Sequence, residues 1–140
     1  MPPQVEYTFE DTGTRVVDYG NGHVGIFVCT DRTASEEQME AEATWLYVAV
    51  RMVHEKNKWK EITVLIDLHK IHVMKTSRNV REYYKNIMKR SMSFVKKISI
   101  VGDMFQCALM RGIMTMLPLY KKRVRFFMNF KQAKQWLHWI

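Results

Sequence analysis

The chain has 140 residues, 47% of them apolar, and a formal net charge of +8. That length predicts one domain, 1–140, able to bury a core without staples, and that composition belongs to a globular protein rather than a disordered one. No apolar run approaches the roughly 18 residues of a membrane-spanning helix, and the opening Met-Pro-Pro-Gln-Val-Glu lacks the basic and apolar regions of a signal peptide, which predicts a cytoplasmic protein with no transmembrane segment.

Residues 14–19 and 23–29 are rich in β-forming side chains, and Gly20-Asn21-Gly22 between them is a hairpin signal, so these strands should be antiparallel neighbours. Ser35-Glu36-Glu37-Gln38 fits a capping box. After it Met39, Ala43, Leu46, Val50 and Val53 recur at steps of four and three, one buried face of a helix over about 35–57. The continuous apolar run Ile62–Ile66 predicts a strand covered on both faces.

A second helix is expected over about 77–95. Val80, Tyr84, Ile87, Ser91 and Phe94 or Val95 mark its inner side, and Arg78, Arg81, Lys85, Lys89 and Lys96 much of the rest. Lys97–Gly102 reads as another buried strand. Asp103 and Gln106 fit reciprocal caps of a third helix, whose core face would be Phe105, Leu109, Gly112, Ile113 and Met116, with Pro118 near its end. Val124–Phe127 is a last strand. Asn129, with Gln132 three residues on, caps a final helix lined by Phe130, Ala133, Leu137 and Ile140. The order β-β-α-β-α-β-α-β-α predicts an α/β fold with a mixed sheet of about five strands and helices packed on it, its core at about 14–139.

Charge is unevenly placed. Residues 1–61 carry a balance of −5 and residues 62–140 a balance of +13. Such asymmetry suits a protein partner with an acidic surface, though it equally serves solubility. Cys29 and Cys107 both sit inside apolar runs and read as buried free thiols. The eleven methionines read as soft core filler. Trp136 should pack on the sheet, whereas Trp139 and Ile140 at the end of the chain would favour a homodimer if exposed.

The stretch Asp67-Leu68-His69-Lys70-Ile71-His72-Val73-Met74-Lys75-Thr76-Ser77-Arg78 follows a buried strand and opens a helix. It resembles, without a gap, the Asp-Leu-x-x-Val-x-x-Met-Asp-Ser-Ser-Gly signature of the STAS domain of anti-sigma factor antagonists. Ile100-Val101-Gly102-Asp103, Arg125-Phe126-Phe127 and Ala133-Lys134-Gln135-Trp136-Leu137 are similar to the SpoIIAA-like family of STAS-related proteins. The resemblance implies a STAS-like fold over about 14–139 and puts Ser77, with Thr76 before it, at the family's phosphoacceptor position. Two positions depart from the signature: Lys75 stands where that family has an acid and Arg78 where it has glycine, so the local charge is reversed. Thr76 or Ser77 is equally suited to be the N-cap of the second helix. The similarity of SpoIIAA-like proteins to CRAL-TRIO-related lipid carriers implies an alternative, a small apolar or anionic ligand, lipid included, held between sheet and helices.

Lys75, Thr76, Ser77 and Arg78 would gather at a helix N-terminus, where free N–H groups and two cations favour an anion. Arg81 and Lys85 extend the cationic surface. His69 and His72, three apart near Asp67, would seat a metal only with helical geometry, so no metal or other cofactor is expected. Lys121-Lys122-Arg123 and the second-helix cations, with Tyr83, Tyr84 and Trp136, are the weaker case for nucleic acid. No catalytic constellation is recognised. The leading expectation is a non-enzymatic STAS-like regulatory module acting by protein contact around 67–81.

Overall fold

The computed structural model describes residues 4–30, 34–58, 60–71, 77–114 and 122–139. The chain opens as a meander: β1 (Val5–Thr8), β2 (Arg15–Asp18) and β3 (His23–Phe27) pair antiparallel in turn. The β2–β3 turn is set by Gly20, Asn21 and Gly22, which stand at φ +85°, +56° and +76°, left-handed values that glycine and asparagine reach at least cost. β3 then runs parallel to β4 (Ile62–Asp67), β4 to β5 (Val95–Val101) and β5 to β6 (Val124–Phe127). The six strands lie side by side in chain order. Each parallel step is bridged by a helix, α1 (Glu36–Lys56), α2 (Arg78–Ser91) and α3 (Met104–Met114), and α4 (Phe130–Trp136) follows β6.

Helix starts are fixed by their caps. Ser35 and Gln38 form the reciprocal box of α1. Asp103 and Gln106 do the same for α3, with bonds of 2.8 and 2.9 Å. Asn129 accepts from the Gln132 N–H at the start of α4. Each side-chain oxygen satisfies a backbone donor that the first turn leaves open, a gain of about 1 kcal/mol.

Three expectations are corrected. The sheet has six strands rather than about five, because Val5–Thr8 adds an edge strand. Its four residues alternate between exposed and half-buried, too short a pattern to stand out in the sequence. α2 ends at Ser91, not near 95: Met92 closes the helix, Phe94 turns into the core at 6% exposure, and Val95 already opens β5. Phe105 is not on the core face of α3. It is 72% exposed, while Cys107 is the buried residue. That helix is apolar nearly all round, so no single stripe announced which side would be covered. Leu109, Gly112, Ile113, Met116, Pro118 and Ile140 provide no test, because their side chains lie outside what is described.

Strand alternation divides the core in two. Val64, Ile66, Ile98 and Ile100, with Val16, Val24 and Ile26, face α1 and α2. Leu65 and Val101 point the other way, onto Ala133 and Leu137 of the α4 segment. Both faces of β4 and β5 are therefore covered, as their apolar runs predicted.

Candidate ligand-binding cavity

The layer between the sheet and helices α1 and α2 is not filled. It holds a cavity of about 140 Å³, partly open to solvent and walled by Ile26 and Val28 from the β3 segment, Met39, Leu46 and Val50 from α1, Val64 and Ile66 from β4, Tyr84, Ile87 and Met88 from α2, and Ile98 from β5. Two elements make it. The stripe Met39, Leu46, Val50 brings α1 over the sheet, and Tyr84, Ile87 and Met88 do the same for α2 at helical spacing. Helices and sheet meet through side chains of unequal length, and the gap remains where they do not interdigitate.

One wall carries a carboxylate. Glu42 lies on the inner stripe of α1, three residues from Met39 and four from Leu46, and is fully buried. The hydroxyl of Thr14, just before β2, donates to Glu42 Oε1 at 2.8 Å. The hydroxyl of Thr30, beyond the end of β3, donates to both carboxylate oxygens at 2.8 Å. Thr14 is itself held, since its Oγ1 accepts the Cys29 N–H at 3.0 Å and the Thr12 hydroxyl at 3.2 Å. Burying a carboxylate is costly without such donors. None of the ion pairs among the described residues involves Glu42.

Tyr84 stands across from this wall on α2. Burial, and then the negative charge of Glu42, push its phenol well above the usual tyrosine range. The phenol therefore stays protonated and can donate or accept a hydrogen bond. Among the described residues its hydroxyl has no hydrogen-bond partner.

The predicted anion site is brought together only in part. Ser77 is the N-cap of α2, and its hydroxyl accepts the Val80 N–H at 3.2 Å. Arg78 is exposed at the first helical position. Arg81 is half-buried and engaged by a partner, and Lys85 lies 3.7 Å from Glu82. Lys75 and Thr76 lie outside the described residues. Of the metal candidates, His69 Nδ1 is 2.7 Å from Asp67 Oδ1 at the end of β4, two residues back in the chain, and His72 lies outside the described residues. Among the described residues no group of three or more His, Cys, Asp or Glu could hold a metal ion, and no helix is long and apolar enough to cross a membrane.

The described residues read as a nucleic-acid surface are dispersed, and Lys121 lies outside the described residues. Arg123 donates to the backbone carbonyls of Met92, Val95 and Lys96, so it ties the start of β5 to the β6 segment rather than facing a phosphate backbone. The Tyr83 hydroxyl lies 2.6 Å from Thr44 Oγ1 of α1. Trp136 is on the opposite side of the sheet, with the Lys97 ammonium 4.8 Å from its ring centre. Trp139 does not meet the condition of exposure under which it would have favoured a homodimer. It is half-buried, stacks on His23 at 5.0 Å and donates to Thr63 Oγ1 at 2.7 Å. Both cysteines are free, and burial pushes the Cys107 thiol up, away from the reactive thiolate.

No family model, curated protein or solved structure matches this chain.

Glu42 is the site residue that sequence reasoning missed. Its signal was there: a charged residue at a core-facing position of an otherwise apolar stripe, beside Ala43. Tyr84 was read as a core residue and, in the weaker case, as a stacking residue for nucleic acid, not as part of a ligand cavity.

Proposed function

We propose that this chain is a cytoplasmic binding module that holds a small apolar ligand between the sheet and helices α1 and α2. The observation that carries the reading is the cavity itself. Protein interiors are close-packed, and an apolar pocket of about 140 Å³ between sheet and helices departs from that rule. A ligand that fills the space supplies the contacts its apolar walls lack. A pocket of this size and apolarity accepts a molecule of about the size of benzene.

Titration with toluene, followed through the methyl resonances of Ile26, Val50, Val64 and Ile98, tests the reading. Saturable shifts confined to these methyls are expected. A protein whose methyls do not move, or move without saturation, is not a carrier of this kind.

A second reading retains the STAS resemblance, with protein contact around 67–81. Exposed Arg78 next to the Ser77 cap supports it. It predicts that charge reversal at Lys75 and Arg78 abolishes binding to an acidic protein partner while leaving toluene binding intact; unchanged partner binding sinks it.

A further inference from the structure

We infer that the cavity selects its ligand by charge, taking small apolar amines in preference to neutral analogues and rejecting carboxylates and phosphates. This rests on the cavity being a ligand site and adds the chemistry of the ligand's polar end.

The argument starts from Glu42. Its carboxylate is fully buried, and its contacts among the described residues are two threonine hydroxyls. A carboxylate has about four acceptor positions, and two hydroxyl protons occupy only part of them. The threonines supply hydrogen bonds but no opposite charge. Of the walls around the cavity, the other residues are apolar apart from Thr30, Tyr47, Tyr84 and Ser91, none of which carries an opposite charge, and the Ser91 hydroxyl is spent on the Ile87 carbonyl at 2.9 Å. Among the described residues no cation pairs with this acid, so it sets the sign of the field along this wall.

A ligand meets that field already in place. Folding has taken the carboxylate out of water, so an ammonium that enters offsets only its own lost hydration. A carboxylate or phosphate would lose its hydration and be repelled as well. The Tyr84 hydroxyl on the facing helix, without a hydrogen-bond partner among the described residues, supplies the oxygen that an ammonium donor needs at close range. An amine at this end and a ring or short chain along Leu46, Val50 and Ile98 use both kinds of wall.

Four probes of one shape separate the terms: toluene, benzyl alcohol, benzylamine and benzoate, each titrated into the intact protein at neutral pH. Benzylamine should bind about tenfold or more tighter than toluene and benzyl alcohol, the scale of one charge-assisted contact, and benzoate should not bind measurably. Glu42→Gln should keep toluene binding and remove the preference for the amine. If that variant does not fold, ligand-to-protein nuclear Overhauser contacts in the unaltered chain decide instead: the aminomethyl protons should lie near Thr30 and Tyr84, the ring protons near Val50. Binding of toluene with no preference for benzylamine, or with benzoate tighter, overturns the inference and leaves the cavity reading standing. Failure of all four probes overturns both.

Discussion

The two faces of the sheet are built differently from the same strands. On the α4 side the contacts are close and specific: the Ser99 hydroxyl donates to the Ala133 carbonyl at 3.0 Å, Trp139 bonds Thr63, and Leu65, Val101, Ala133 and Leu137 close the layer. On the α1 and α2 side, strands of equal apolarity face two longer helices and leave a void with a buried acid in its wall. The β-strand residues are not what differs, since valine, isoleucine and leucine serve both faces. The difference comes from what covers them. A short helix whose inner residues are small, such as Ala133, can descend onto the sheet; helices presenting Leu46, Tyr84 and Met88 are held off it.

Truncation should break the contrast most strongly. Leu65→Ala, on the α4 face, is expected to cost about 2–5 kcal/mol in denaturant unfolding, because the truncation opens a new cavity beside Val101, Ala133 and Leu137. Next comes the polar wall of the empty face. Thr30→Val deletes a hydroxyl that serves both oxygens of Glu42, and a loss of about 1–3 kcal/mol is expected, much of it restored by a compensating Glu42→Gln change. A third pair of variants sharpens the comparison by addition rather than removal. Ala133→Leu should destabilise by about 1–3 kcal/mol through overpacking, whereas Val50→Leu, which points extra carbon into the void, should be neutral or stabilise by up to about 1 kcal/mol and abolish toluene binding.

The smallest effects are in pH. On the cavity face, burial and Glu42 raise the Tyr84 phenol, so the folded chain keeps this proton where the unfolded chain releases it. The corresponding stability is complete below pH 10.0, the ordinary value, and is lost as pH rises beyond it. On the other face, burial lowers His23 below its ordinary 6.5, so its contribution is present above that pH and is lost as pH falls through the folded value. Thermal unfolding from pH 5 to 11 should therefore show an alkaline loss that Tyr84→Phe diminishes and an acid loss that His23→Phe diminishes. A Tyr84→Phe protein with the alkaline slope of the parent would place that titration elsewhere.

The parts of this fold that local chemistry determines were legible. The hairpin at 20–22, the caps at Ser35, Asp103 and Asn129, and the doubly covered strands at 62–66 and 97–101 each follow from a few adjacent residues. What depended on partners far away in the chain was not. Phe105 could be assigned a face only by knowing what α3 packs against, and β1 only by knowing that β2 had a free edge. The cavity lies at the limit of such reading, because a void is a property of how four elements meet and no residue encodes it. Glu42 was the one local trace of it, a carboxylate where periodicity called for an apolar side chain, paired with hydroxyls 28 and 12 residues away.

The chain-ordered sheet also bears on how the molecule assembles. Every strand lies beside its immediate predecessor, so no segment has to wait for a distant one before it finds its edge. The meander from Val5 to Phe27 can pair as soon as it is synthesised, and each later helix–strand unit docks on a template already present. Loop closure is then limited to one crossover at a time, which keeps contact order low for a sheet of this size. Growth by addition from the N-terminal end during synthesis is the folding route this topology favours, and the void between sheet and helices is complete only once α2 has closed over β4.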